Sequence, residues 1–274
     1  MEYCFSVDNS FNIEKTMECG QCFHYEKLRD NKYRVYGLNK VCEIEQENNI
    51  ICIDCGNSDL DYWKMYFALD TDYSKIIEYL TDFCEKNNDE FGLRAIEKGK
   101  GIKILAQPFF ETCCSFILSQ QNNIPRIRKM VFGLSEKYSR NQVCFNGCWV
   151  NCFPNYKDFD FVTLEELKAL GLGYRAEYLK EFADSWESIS DKVKFDYKAD
   201  FELFKSCKGI GDKVSNCICL YGYNEFDAFP IDVWMKKIIK EEYTDKGREL
   251  KIPKKYAGIL QQFMFYTKRQ ESGK

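Results

Sequence analysis

Histidine is nearly absent. His24 is the only one in 274 residues, so catalysis by an imidazole acid or base anywhere else in the chain is excluded. Long apolar runs are missing too. No stretch approaches the ~20 residues that span a bilayer. The opening segment, MEYCFSVDNSFNIEK, shows no basic region followed by an apolar run, which argues against a secretory signal and for an intracellular, unanchored product. There is no internal repeat, no low-complexity segment and no obvious long linker. What remains is 45% apolar and 30% charged, the balance of a globular protein long enough for one large or two smaller cores.

Fifteen cysteines stand against these absences. Without a secretory signal a disulfide framework is not expected. Cys19 and Cys22 form one CxxC, Cys52 and Cys55 another, and Cys144, Cys148 and Cys152 a looser group. A zinc site built from the two pairs is the minority reading; packing as small apolar residues is the major one. The formal charge of −4 is the wrong sign for a nucleic-acid binder, but it is unevenly spread. Residues 1–100 carry −8 and residues 141–204 carry −5, whereas residues 101–140 carry +4 and residues 205–274 carry +5. A local basic patch, not bulk charge, is what phosphate contact requires.

Periodicity predicts an α+β protein: an N-terminal antiparallel sheet domain with flanking helices over residues 1–99, then an all-helical domain over residues 100–274. YRVYG (33–37), KVCEIEQ (40–46) and NIICID (49–54) read as a meander with turns at Leu38–Asn39 and Glu47–Asn48. Helix-spaced apolar residues follow around 60–67 and 76–83, with a polar loop at 87–90. Pro108 and Pro125 open helices. Residues 141–160 lack a period and read as a long loop. Helices are predicted near 163–171, 174–188, 199–207 and 254–270.

The segment FKSCKGIGDKVSNCICLYGYNEFDAFPIDVWMKKII (204–239) carries the chemistry. It reads as helix, glycine turn, helix, loop and helix, with a helix-hairpin-helix over about 199–223. Glycine adopts positive φ without steric cost, which suits Gly209 and Gly211 in KGIGD. Main-chain N–H groups of such a turn and its following helix can cradle phosphate. Lys213 stands at the head of the second helix, where the dipole disfavours added positive charge and burial would favour a neutral, nucleophilic amine. Asp232 precedes an apolar-periodic run as a helix cap. An ordinary αα-hairpin with a surface lysine and a capping aspartate fits the same residues.

Six blocks in order decide for the first reading. GQCFHY (20–25), SFILSQQNNIPRI (115–127), LGLGYRAEY (170–178), DKVSNCICL (212–220), FPIDVWM (229–235) and YAGILQQFMF (256–265) resemble the 8-oxoguanine DNA glycosylases of the helix-hairpin-helix superfamily. The resemblance implies a TBP-like antiparallel-sheet domain ahead of a helical glycosylase core. It implies glycosylase and β-lyase activity on 8-oxoguanine flipped from duplex DNA, opposite cytosine. Lys213 becomes the nucleophile at C1′, and Asp232 the ionised partner. Gly20, Cys217, Gln261 and Phe265 match the base pocket; the Gly20 carbonyl would receive the N7 hydrogen that guanine lacks. Gln121, Asn122, Asn123, Arg126, Tyr174 and Arg175 match the residues that fill the gap and read the opposite base, and Gly209 and Gly211 the phosphate-binding hairpin. Some relatives hold an iron–sulfur cluster on cysteines beyond the aspartate. The last cysteine here, Cys219, precedes Asp232, so no such cluster, metal or other cofactor is expected. A monomer, cytoplasmic or nucleoid-associated, is expected.

The sequence departs from the family twice. Gln121 replaces the first of three asparagines, and Trp234 stands where better-known relatives have histidine. Two alternatives stay open at this point: a glycosylase of the same fold for another damaged purine, and a non-catalytic DNA-binding module.

Overall fold

Residues 1–7 and 11–273 are described by the structure, a computed structural model. Strands β1 (Glu2–Ser6), β2 (Tyr25–Arg29), β3 (Lys32–Gly37), β4 (Lys40–Glu47) and β5 (Ile50–Asp54) form one antiparallel sheet in the order β1-β5-β4-β3-β2. β2 to β5 are the meander, and β1 returns to pair with β5. Asn31, Asn39 and Asn48 take positive φ at its tight turns, a conformation asparagine tolerates better than most residues. The second predicted turn lies one residue later, at Asn48–Asn49. Alternation buries one face: Tyr33 pairs with Ile44, Val35 with Cys42, and Ile44 with Ile53. That face packs on α1 (Ile13–Glu18) and on Trp63, Tyr66 and Phe67 of or just after α2 (Leu60–Tyr66).

Cys4 and Cys52 face each other across β1 and β5 and are joined by a disulfide. This bond runs against the expectation of no disulfide, because only strand register brings the two sulfurs together. It also removes Cys52 from any zinc site, and among the described residues no three His, Cys, Asp or Glu side chains gather to hold a metal.

The helical half contains α3 (Tyr73–Lys86), α4 (Glu90–Gly99), α5 (Phe109–Leu118), α6 (Ile124–Tyr138), α7 (Leu164–Ala169), α8 (Arg175–Asp184), α9 (Trp186–Ser190), α10 (Tyr197–Lys205), α11 (Asp212–Tyr223), α12 (Val233–Ile238) and α13 (Ala257–Glu271). Two expectations fail here. The loop at 87–90 is shorter than predicted: Asp89 caps α4 through Gly92 N–H at 2.8 Å. Residues 141–160 are not a loop throughout. They form a hairpin of β6 (Gln142–Phe145) and β7 (Cys148–Asn151), then a 3-10 turn at Tyr156–Phe161. The hairpin turns on Asn146–Gly147, both at positive φ, and that pair is a hairpin signal in its own right. The buried side chains of α3 and α4 belong to one core with those of α5, α11 and α13.

Two buried polar joints fix the sheet half against the helices. Gln21, wholly buried, donates to the Lys103 carbonyl at 2.8 Å and accepts from Leu105 N–H at 2.9 Å. His24 lies between Glu111 Oε1, 3.0 Å from Nδ1, and Ser135 Oγ, 3.3 Å from Nε2, with its ring stacked on Tyr36. The single histidine therefore serves as a bolt between domains. The turn between these joints and α1 carries Gly20.

Candidate active site

A cavity of about 760 Å³ opens between α5, α11, α13 and the Gly20 turn. Eight of the residues singled out from sequence line it: Gly20, Asn122, Asn123, Lys213, Cys217, Asp232, Gln261 and Phe265. They come from five separate segments, so only the tertiary fold assembles them.

Lys213 opens α11, and its ammonium donates to Ser119 Oγ at 3.0 Å. Ser119 donates its own proton to the Phe116 carbonyl at 2.7 Å, so its hydroxyl faces the lysine as an acceptor. The Phe116 ring lies 5.3 Å from Nζ. These contacts hold the half-buried amine at the cavity wall. Asp232 caps α12, accepting from Met235 N–H at 2.8 Å. Burial raises its pKa above the ordinary carboxylate range, while the Met235 N–H and the Lys213 ammonium act to lower it. The carboxylate is thus both a helix cap and the acid that shares the cavity with the amine.

Cys217 follows Lys213 by one helical turn, and burial pushes its thiol up to about 11. It stays protonated at neutral pH, a neutral wall that does not compete as a nucleophile. On α13, the Gln261 side-chain oxygen is buried and has no partner within the protein. Such an acceptor carries a desolvation cost of about 1–3 kcal/mol until a donor arrives. Gly20 has φ +87, and a Cβ there would meet Phe265 at 3.3 Å and Ile124 at 3.2 Å. Only glycine brings the main chain this close to Phe265. Gln262 secures the turn by donating to the Cys19 carbonyl at 3.0 Å.

The opposite-strand set is divided. Asn123 caps α6 through Arg126 N–H at 3.0 Å, and Asn122 donates back to the Leu118 carbonyl at 3.0 Å. Gln121 is exposed, at φ +46, where glutamine is less at ease than asparagine. Arg175 does not face outward as expected. It is 4% exposed, and its guanidinium donates to the carbonyls of Gln120 and Gln121. It holds the loop that presents Gln121. Arg126 is exposed, with one bond to the Gly171 carbonyl at 3.1 Å. Tyr174, 44% exposed, stands just before α8 and donates to the Gln120 carbonyl at 3.3 Å.

The hairpin also splits. Gly209 has φ +77 and lies against the Tyr178 ring. Gly211 does not take positive φ: it is extended, at φ −105 and ψ −177, as the residue before α11, and a Cβ there would meet nothing within 4 Å. Sequence reasoning passed over Ser119, Phe116 and Arg269, all on the cavity wall. Arg269 lies four residues after Phe265, a spacing that places both on one face of α13; Phe116 and Ser119, at the end of α5, have no such relation to a residue singled out from sequence. Trp234 also lines the cavity.

Comparison with known proteins gives the class first. The HhH-GPD superfamily of base excision DNA repair proteins matches residues 114–262, more than half of the chain, and the chain belongs to that superfamily. The 8-oxoguanine DNA glycosylase N-terminal domain matches residues 5–113, which narrows the family to the 8-oxoguanine glycosylases. An N-glycosylase/DNA lyase of Saccharomyces cerevisiae is 29% identical over 84% of this chain and 68% of its own length. N-glycosylase/DNA lyase OGG1 of Arabidopsis thaliana is 28% identical over 80% of this chain, which spans 63% of it. Among solved structures, MBOgg1 in complex with a low-affinity DNA ligand has a TM-score of 0.86 at 29% identity, covering 100% of this chain and 96% of that one. The 8-oxoguanine glycosylase/lyase of Clostridium acetobutylicum, bound to duplex DNA with cytosine opposite 8-oxoguanine, has a TM-score of 0.83 at 27% identity, covering 96% of this chain and 93% of that one.

Proposed function

We infer that this chain is a bifunctional DNA glycosylase and abasic-site lyase that excises 8-oxoguanine, opposite cytosine, from duplex DNA. The observation that carries the reading is a lysine amine and a half-buried carboxylate sharing one cavity with an unpartnered glutamine oxygen. Duplex DNA presents the glycosidic carbon only after the nucleotide is extruded. Once it has given up a proton, the Lys213 amine attacks C1′, and the C1′–N9 bond breaks with its electron pair leaving on the base. Asp232 stabilises the positive charge developing on the sugar. Its raised pKa also makes it a stronger proton acceptor than an ordinary carboxylate, fitted to take a proton from the amine. Ring opening leaves an imine between Nζ and C1′. The imine acidifies the C2′ hydrogen, and loss of that proton expels the 3′ phosphate.

In the base slot, Cys217 and Phe265 flank the purine. The Gln261 oxygen accepts from N1–H and the exocyclic amino group, and the Gly20 carbonyl accepts the N7 hydrogen that distinguishes 8-oxoguanine from guanine. Gln121 enters the vacated space, while Arg126 supplies donors to the unpaired cytosine. The hairpin N–H groups hold phosphate.

The test is incubation with duplex DNA carrying 8-oxoguanine opposite cytosine, with and without borohydride. Base release, strand nicking and a covalent adduct are expected from the wild type, and Lys213→Gln should bind the duplex without forming the adduct. Binding without release or adduct by the wild type would leave a non-catalytic DNA-binding module.

A further inference from the structure

The cavity holds a second cation that the reaction does not use. Arg269 follows Phe265 by four residues on α13 and so shares its face. Its guanidinium carbon lies 5.5 Å from the centre of the Phe265 ring. Its Nη1 is 3.6 Å from the position a Cβ on Gly20 would occupy. The neighbouring Lys268 is fully engaged, paired with Glu241 at 3.0 Å and with Glu242 at 2.5 Å. Arg269 has no such partner: among the described residues no carboxylate lies within ion-pair distance, and its hydrogen bond runs to the Glu18 carbonyl at a long 3.4 Å. A guanidinium presents five donors in a fixed plane, and most of these are unspent at the edge of the slot.

The polar groups around this slot are complementary to one face of one base. Gln261 offers an acceptor, and the Gly20 carbonyl offers another beside Arg269. In 8-oxoguanine the N7 hydrogen is flanked on both sides by carbonyl oxygens, O6 and O8. A base whose N7–H points at the Gly20 carbonyl therefore turns an oxygen toward whatever stands next to Gly20. Here that is a guanidinium.

We propose that Arg269 is a base-reading residue, donating to a carbonyl oxygen beside N7 of the extruded 8-oxoguanine. The contact adds a charge-assisted donor to an edge otherwise read only by a main-chain acceptor. This rests on the reading that the cavity takes 8-oxoguanine.

The experiment compares two substrates under single-turnover conditions: duplex with 8-oxoguanine opposite cytosine, and the same duplex with a preformed abasic site. The abasic strand has no base to read but needs the same amine, phosphate contacts and fold. Arg269→Leu keeps an apolar side chain against Phe265. It is expected to slow 8-oxoguanine excision by about 10- to 100-fold, the loss typical of a charge-assisted hydrogen bond, and to leave abasic-strand cleavage within about twofold of wild type. Arg269→Lys, which retains a donor, is expected to recover part of the excision rate. Equal slowing on both substrates would overturn the proposal in favour of a phosphate or folding role, and unchanged excision would overturn it outright. A wild type inactive on both substrates would instead overturn the enzymatic reading itself.

Discussion

At the scale of single residues, Asp232 carries two demands that pull apart. As an N-cap it stabilises α12; as a half-buried, partly desolvated carboxylate it costs stability when ionised. Burial raises its folded-state pKa, so the native chain keeps this proton at pH values where the unfolded chain has released it. Its contribution to stability is therefore greatest in acid and declines as pH rises from the ordinary carboxylate range through the raised value. Asp232→Asn keeps the oxygen that accepts from Met235 N–H and removes the charge. Its melting temperature at pH 7 is expected to match or exceed that of wild type, with the difference shrinking as the pH falls. Excision should drop by about 100-fold or more, the scale of a lost transition-state charge. Asp232→Ala, which loses the cap, should be less stable by about 1 kcal/mol. Thermal melts at two pH values decide this; equal destabilisation by Asn and Ala would contradict the account. The wild-type excision rate should also fall on acidification at a higher pH than an ordinary carboxylate would give. The carboxylate was legible in the sequence. The acceptor face of Ser119 toward Lys213 was not, because a serine between two helices has no spacing signature of its own.

At the scale of elements, the hairpin between α10 and α11 uses its two glycines for different reasons. Gly209 is required by the protein itself: φ is +77 and a methyl would enter the Tyr178 ring. Gly211 is not, since the backbone there is extended and the space open. On the proposed function, glycine at 211 is favoured by the close approach of a phosphate to the head of α11. Gly209→Ala is expected to lower stability by about 1–3 kcal/mol through overpacking and left-handed strain. Gly211→Ala should leave the melting temperature near that of wild type and weaken duplex binding. Denaturant titration and a binding assay separate the two; destabilisation by Gly211→Ala would show that its role is internal. This division was not legible in KGIGD, where both glycines look alike. The strands from 33 to 54 and the helices from 60 onward were readable because their apolar period is strong. β1 and β2 fall within a stretch read as β structure but were not delimited, because their residues are largely exposed or half-buried, and β6–β7 were missed because cysteines and aromatics hid the Asn146–Gly147 turn.

At the scale of the molecule, the site exists because two halves are locked in register. Gly20 comes from the sheet half, Lys213, Cys217, Gln261 and Phe265 from the helical half, and the Gln21 and His24 joints hold them together. Linear order gave the members of this set only through family blocks; no periodicity relates residue 20 to residue 261. The charge distribution works at the same scale, since α5, α6 and α11–α13 lie in the two positive segments around the cavity. The central claim is that one amine, the Nζ of Lys213, bonds to the sugar. It is tested most directly by trapping the reaction with borohydride on 8-oxoguanine duplex, digesting the adduct and mapping the modified peptide by mass. The account predicts a single sugar-derived mass increment on the peptide containing Lys213. An increment on any other lysine or on the N-terminal amine, with Lys213 unmodified, would contradict it.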